Sequence, residues 1–448
     1  MKKFSAFILA VVFLTAPVYA DVAVTVYNSN RALIKETRDV SLKKGVQTLE
    51  FDNVASQIDA TSVLPKFLNN TSKIKVLEQN FDYDLVNTNK LFTKYIGKDI
   101  EIERTGQDKR AKLTGKLLSV QGGLVVQSSD KIVINPQGEI SLSKLPEGLR
   151  LKPTLVWLIE SEVSGTQKME VSYQTSGMSW NADYVLVTNE KDTVADITGW
   201  VTVNNNSGAE FNDAKLKLIA GDVNIAQPVA MARNEVRYFK ERSADVAAPS
   251  FQEKSFFEYH IYELQRKSTL KNNEIKQIEF ITASKVPIKK VFTYNGTNNG
   301  TKVTVNLDFK NSKENNLGIP LPKGRVRVSK YDGDSMEFIG EDNIDHTAKD
   351  AKLSIYTGNA FDITGERVQT NYKISGSSAE ESFKITVKNS KDTPVEVNIV
   401  EPMYRWTNWK IIQKSNNFTK KDSKTAEFLV SVAASSETVV TYTVKYSW

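Results

Sequence analysis

The sequence predicts an all-β protein, and three observations predict it. Short runs of alternating apolar and polar residues, rich in Val, Ile, Thr and Tyr, recur from Val22 to Tyr446. Gly, Asn, Asp and Lys cluster between those runs at hairpin spacing. Only one window, residues 88–96, places its apolar residues at helical spacing. The expected architecture is an N-terminal β domain, a small SH3/Sm-like barrel with one short helix, and then large antiparallel β-sandwich units.

The first residues are read as an export signal. Lys2 and Lys3 precede an apolar run over residues 7–16, and Pro17-Val18-Tyr19-Ala20 leads into Asp21. A basic start, a short apolar stretch and small residues at the cut make a secretory signal peptide, removed after Ala20. The run is shorter than the roughly 20 apolar residues a membrane-spanning helix needs. No later run approaches that length, so no transmembrane segment is expected after cleavage. The expected location is the periplasm or the extracellular cell surface.

Composition closes several routes to chemistry. The chain has no cysteine, which excludes disulfides, thiolate metal sites, cysteine nucleophiles and a lipid attached at the cleavage site. Its two histidines, His260 and His346, exclude a His-rich metal site, and a Ser-His-Asp triad would have to use one of them. No cofactor or metal is expected. Cleavage removes two lysines and no acid, so net charge falls from +6 to +4. That near-balance gives no bulk attraction for nucleic acid.

Five regions follow the signal. Residues 21–86 read as the N-terminal β domain, with strands at 22–27, 32–42, 46–51, 63–67 and 74–77. Residues 87–148 read as the small barrel insertion. Leu91, Phe92, Tyr95 and Ile96 give its helix an apolar stripe, and Gly97 supplies the left-handed residue that ends it. Five short strands then follow, between residues 99 and 142. Their Lys109, Arg110, Lys112 and Lys116 are read as guards of an edge strand, because Glu101, Glu103 and Asp108 are interleaved with them.

Residues 149–227 read as a sandwich region with hairpin-spaced strands, and 257–448 as the C-terminal sandwich region. Between them residues 228–256 have mixed charge and no apolar period, which reads as a flexible linker or insertion. Trp180 and Trp200 are cast as core anchors. Three strands end in similar polar tags, Asn205-Asn206-Ser207, Lys310-Asn311-Ser312 and Lys388-Asn389-Ser390, which suggests repeated sandwich units.

Few constellations point to a site. Tyr404-Arg405-Trp406-Thr407-Asn408-Trp409 concentrates three aromatics, and Tyr404 and Trp406 would share a strand face. Core packing is the favoured reading of such a cluster; as a sugar or peptide surface, its candidate ligand-binding residues are Tyr404, Trp406 and Trp409. Glu160 and Glu162 fall on one strand face, where a carboxylate pair could serve glycoside hydrolysis. Solvent exposure of that face is the competing reading. Asp332, Asp334, Glu337, Glu341, Asp342 and Asp345 lack the spacing of a helical calcium loop, and a hairpin turn at Asp332-Gly333-Asp334 explains part of the group. Val440, Tyr442, Val444 and Tyr446 alternate toward the terminal Trp448, as the last strand of an outer-membrane barrel does. No catalytic residue is assigned.

Several segments resemble a known family. SYQTSGMSWNADYVL and ITGWVTVNNNSGAEFNDAKLKLIAGD, followed by IPLPKGRVRVSKYDGD and EFIGEDNI, are similar to the bacterial proteins grouped as domain of unknown function 4139, often labelled mucoidy-inhibitor-like. Trp180, Tyr184, Asn206-Ser207-Gly208, Gly221 and Leu321-Pro322-Lys323-Gly324 carry the likeness, with Phe211 where family members often have tryptophan. The resemblance implies a secreted or periplasmic multi-strand protein and brings no catalytic residues. The expectation is an exported, non-enzymatic cell-envelope protein acting in binding, adhesion or assembly, with an envelope protein or polysaccharide as partner. The alternatives are a glycan-active enzyme and an outer-membrane barrel.

Overall fold

A computed structural model describes residues 21–105, 110–221, 251–256 and 259–448. The expected signal peptide, Lys109 and most of the expected linker lie outside the described residues. What is described is almost entirely β, with a single α-helix.

Two sheets build the first sandwich. In the larger, Asp21–Tyr27 lies between Phe211–Ala220, to which it runs parallel, and Arg31–Leu42, to which it is antiparallel. Gly165–Ser176 and Leu64–Phe67 continue the sheet beyond Arg31–Leu42. The smaller sheet sets Thr154–Ser161 between Gly45–Asp52 and Ile74–Asp82. Period-2 alternation explains the packing: Val22, Val24, Val26, Ala32 and Ile34 point to one core with Leu155, Trp157 and Ile159.

Residues 21–86 and 149–220 thus share both sheets. The expected boundary between an N-terminal domain and a later sandwich is crossed by backbone ladders on either side of residues 87–148. Sequence periodicity identifies strands but not the long-range partner, and the parallel pairing of Asp21–Tyr27 with Phe211–Ala220 is such a partner.

The inserted module keeps its helix, Thr88–Tyr95. Asn87 caps it by accepting from the Lys90 amide at 3.0 Å, and Gly97 takes a φ of 82° just past its end. Tyr95 packs with Ile100, Ile102, Leu117 and Val126 as a small core. The five strands do not close into a barrel. They form an open sheet whose outermost strands, Glu139–Ser141 and Ile132–Ile134, are not paired with each other. Each of those strands is only three residues long, and Pro136 and the positive-φ Gly138 separate them. The strand that carries Lys112 and Lys116, Arg110–Ser119, is the middle one of this sheet and not an edge, so the expected edge-guarding role is corrected; Lys112 instead pairs across the ladder with Glu101 at 2.8 Å.

The end of the expected linker is also corrected. Phe251–Phe256 is a strand, antiparallel to Tyr259–Leu264 at the margin of the largest sheet of the first sandwich. Its residues carry too little apolar alternation to be read as one.

A five-stranded sheet follows, ordered Glu274–Pro287, Val194–Asn205, Met178–Thr188, Gly324–Asp332 and Ser335–Ile344. Trp180 is a core residue whose indole donates to the Ile219 carbonyl at 3.1 Å. Trp200 is not: Ile197, Gly199, Val201 and Val203 occupy the buried face, so parity turns Trp200 outward, where it is 36% exposed.

The expected C-terminal region is therefore divided: Tyr259–Leu264, Glu274–Pro287, Gly324–Asp332 and Ser335–Ile344 belong to the earlier sheets, and its remaining strands, from Lys289–Tyr294 to Ser436–Ser447, form one nine-stranded sheet with a second core. Its longest strand, Lys352–Ser375, runs for 24 residues. Gly358 and Gly365 and the polar residues between them interrupt the apolar pattern without ending the backbone ladder. Ser436–Ser447 does alternate, but Val440, Tyr442, Val444 and Tyr446 face the protein's own core beside Phe383 and Phe428. The sheet runs open from Trp409–Lys414 to Thr419–Asp422, and among the described residues no sheet closes into a barrel. This is the reverse of a lipid-facing alternation.

The polar tags mark equivalent strand ends, with a shift of one residue in the first. Asn205, Asn311 and Asn389 are buried, each continuing the inward parity of its strand. Asn389 donates to the carbonyls of Thr393, Val432 and Ala433 at 2.9, 3.3 and 3.0 Å and accepts from the Lys391 amide at 3.0 Å. Asn205 repeats this with Ala209, Leu270, Lys271 and Ser207. A buried amide that satisfies the carbonyls of the chain crossing the strand end fixes where each strand stops.

Candidate functional site

The aromatic segment at residues 403–408 is a loop, so Tyr404 and Trp406 do not share a strand face. It joins Val395–Pro402 to Trp409–Lys414. Trp409 is 8% exposed and its indole donates to the Ser423 carbonyl at 2.7 Å, which makes it a core residue rather than a ligand contact. Tyr404 and Trp406 are each 52% exposed. The structure therefore keeps two of the three expected residues at the surface.

What holds this loop is a carboxylate that the sequence did not single out. Glu381, on Ser378–Asn389, is fully buried, and one of its oxygens takes three donors. Arg405 Nη2 donates at 2.6 Å, Gln369 Nε2 at 2.9 Å and the Tyr404 hydroxyl at 3.0 Å. The hydrogen bond to Glu381 holds the Arg405 guanidinium well above its ordinary pKa. Burial, then the charge of Glu381, raises Tyr404 as well, so its phenol stays a neutral donor. The Arg405 guanidinium also lies 4.5 Å from the Tyr372 ring centroid.

A second buried pair lies deeper. Glu401 accepts from Arg367 Nε at 2.9 Å and from the Tyr442 hydroxyl, and Arg367 lies 3.9 Å over the Phe383 ring. Burial pushes the Glu401 carboxyl up, against the pull of Arg367. Desolvation and then the Glu401 charge push the Tyr294 phenol up to about 12. Glu381 Oε2 and Arg367 Nη2 are buried atoms with no protein partner.

Around the pinned loop the surface is aromatic and apolar. Tyr372 and Ile374, on the Lys352–Ser375 strand, and Trp448 are all exposed. The strand register brings Ile374, Ala379, Tyr446 and Trp409 into one row. The Trp448 amide donates to the Ser377 carbonyl at 3.0 Å, and that of Ser447 to the Asn408 carbonyl at 3.1 Å. Loop, hairpin and chain end therefore meet at one end of the C-terminal sandwich. Sequence reasoning missed Tyr372, Ile374 and Trp448 because one strand and the chain end, both distant in sequence from the loop, supply them. An unexpected Glu at an inward position, between Ala379 and Phe383, was the available signal for Glu381.

The other candidates are placed apart. Glu160 and Glu162 are both solvent-exposed, and Glu162 lies just past the end of the strand Thr154–Ser161, so the two do not form a pair on one strand. Asp332-Gly333-Asp334 is a hairpin turn, with Gly333 at a φ of 59°. The acids after it go to separate partners, Glu341 to Arg327 and Asp342 to the Tyr356 amide. Among the described residues no three potential metal ligands cluster. His346 Nδ1 accepts from the Lys323 amide at 3.2 Å. No protein-family model matches the chain, and no curated protein matches it.

Proposed function

We propose that this chain is an exported, non-enzymatic protein of the cell envelope that acts in binding, adhesion or assembly. Its contact is the end of the C-terminal sandwich carrying Tyr404, Arg405 and Trp406. One observation carries the reading. A loop anchored to a fully buried carboxylate through Arg405 nevertheless leaves Tyr404 and Trp406 half exposed. Rigid aromatic side chains bind at low entropic cost, and Tyr, Trp and Arg dominate protein contact hot spots. The neighbouring Tyr372, Ile374 and Trp448 extend the same chemistry, which fits an envelope protein better than a sugar chain. The N-terminal residues and the likeness to mucoidy-inhibitor-like proteins support an envelope location.

Cross-linking in intact cells, with a photoreactive residue at position 406, tests the reading. A specific envelope protein should be captured, and Trp448→Ala, at an exposed side chain of the same surface, should reduce the capture without lowering the melting temperature. Absence of any specific adduct, with the chain found in the cytoplasmic fraction, overturns it.

A further inference from the structure

A second surface lies on the solvent face of the five-stranded sheet. An open cleft of about 430 Å³ is lined there by Asn181, Asp183, Lys323, Arg325, Asn343 and Asp345. Three segments far apart in sequence supply these side chains, and the strand register aligns them. Asp183 lies opposite Arg325 on one side and Trp200 on the other, and Arg325 lies opposite Asn343. Trp200 and Asp183 both point outward, and residues directly opposite in a ladder are near enough to act on one ligand. The cleft falls within the range of about 300–1,000 Å³ that small-molecule sites occupy.

The polar rim is set in advance. Asp183 accepts from Asn181 Nδ2 at 2.7 Å, Thr202 Oγ1 at 3.1 Å and Arg325 Nη2 at 3.3 Å, and Gln277 Nε2 in turn donates to Thr202 Oγ1 at 3.3 Å. A fixed rim reduces the ordering cost of binding. The residues beside the indole along and directly across the ladder, Asp183, Thr202 and Glu279, are polar or charged.

We propose that this face binds an oligosaccharide, with Trp200 stacking on the apolar face of a sugar ring and the amide and carboxylate rim taking its hydroxyls. A sugar is the ligand that pairs one apolar face with a ring of hydroxyls. A protein hot spot would need apolar neighbours beside the indole, and Lys323 and Arg325 are balanced in the cleft by Asp183 and Asp345, which leaves no net positive charge to draw a phosphate chain. The site is separate from the aromatic end of the C-terminal sandwich and does not rest on it.

Calorimetric titration of the full mature chain tests this, with β-linked tetrasaccharides of N-acetylglucosamine and of glucose as probes. At least one should bind saturably. Trp200→Ala should weaken that binding roughly tenfold, Trp200→Phe should retain most of it, and Trp406→Ala should leave it unchanged. The phenylalanine variant keeps the test valid if the alanine variant folds poorly. Failure of both probes to bind below about 10 mM overturns the proposal. Binding lost in Trp406→Ala and retained in Trp200→Ala also overturns it, and moves sugar recognition to the C-terminal surface.

Discussion

Truncating Arg405 should unfasten the exposed aromatic loop and destabilise the C-terminal sandwich. In Arg405→Ala, Glu381 stays fully buried and loses its only counter-charge among the described contacts. One of its oxygens keeps Tyr404 and Gln369, and the other already has no protein donor. Breaking a buried ion pair by removing one partner costs about 3–5 kcal/mol. The Arg405 side chain is 33% exposed, which places the expected cost at the lower end, near 3 kcal/mol. For a unit of this size that is a drop of about 6–12 °C in Tm. Glu381→Gln should cost less, about 1–2 kcal/mol, because a half-exposed guanidinium can turn into water while a buried carboxylate cannot. Replacing both residues with leucine should cost less than Arg405→Ala alone. Urea unfolding followed by circular dichroism and tryptophan fluorescence measures all three. If Arg405→Ala costs less than about 1 kcal/mol, or the two single changes add without coupling, Glu381 does not anchor the loop.

Three further outcomes are expected. Asn389→Ala removes three donations to backbone carbonyls, one of them buried and two part-buried, and should cost about 1–3 kcal/mol. Asn205→Ala should behave alike, whereas Asn206→Ala at the exposed neighbouring position should stay within about 0.5 kcal/mol; equal effects at 205 and 206 would reject the shifted register. Glu401 has its folded pKa raised above the ordinary value, so the native state holds the proton more tightly than the unfolded chain and stability falls as pH rises through that folded pKa. Glu401→Gln should remove this slope in urea midpoints taken between about pH 4 and 8, and parallel curves for the two proteins would count against it. Gly324→Ala would set a Cβ 2.1 Å from the Ala182 carbonyl oxygen, so it should cost about 1–3 kcal/mol and loosen the parallel pairing with Met178–Thr188; amide exchange in that strand pair unchanged from wild type would contradict the close approach.

Strands were legible in the sequence because burial on one face writes itself as period-2 alternation, and the helix because Leu91, Phe92 and Tyr95 keep a 3.6-residue period. Pairing was not legible. Nothing local to Asp21–Tyr27 announces that it lies beside Phe211–Ala220, and so the expected N-terminal domain and the expected sandwich region after the insertion turned out to share their sheets. Parity carried more than was drawn from it: with Ile197, Val201 and Val203 inward, Trp200 had to face out. At the candidate site the aromatic residues stood out by composition, but Glu381, which holds them, is one acid among many, and only burial sets it apart.

The Lys352–Ser375 strand shows why the C-terminal surface can be both exposed and fixed. Leu353 and Ile355 belong to the core shared with the earlier sheets, and Ile363 of the same strand belongs to the core of the C-terminal sandwich. Arg367, Gln369 and Tyr372 come next along it, and each contacts an element of the pinned loop or its buried anchors. Past Thr364 the strand leaves the ladder with Lys302–Lys310 and continues paired to Ser378–Asn389 alone. A strand held by one neighbour at its far end would be free to twist were its inner face solvated. Here Glu381 and Arg405 close on that face, so Tyr372, Tyr404 and Trp406 stand in solvent on a framework braced from two cores. Half-exposed aromatics on a mobile loop would lose much of their binding energy to ordering. Fixed to this strand, they keep it.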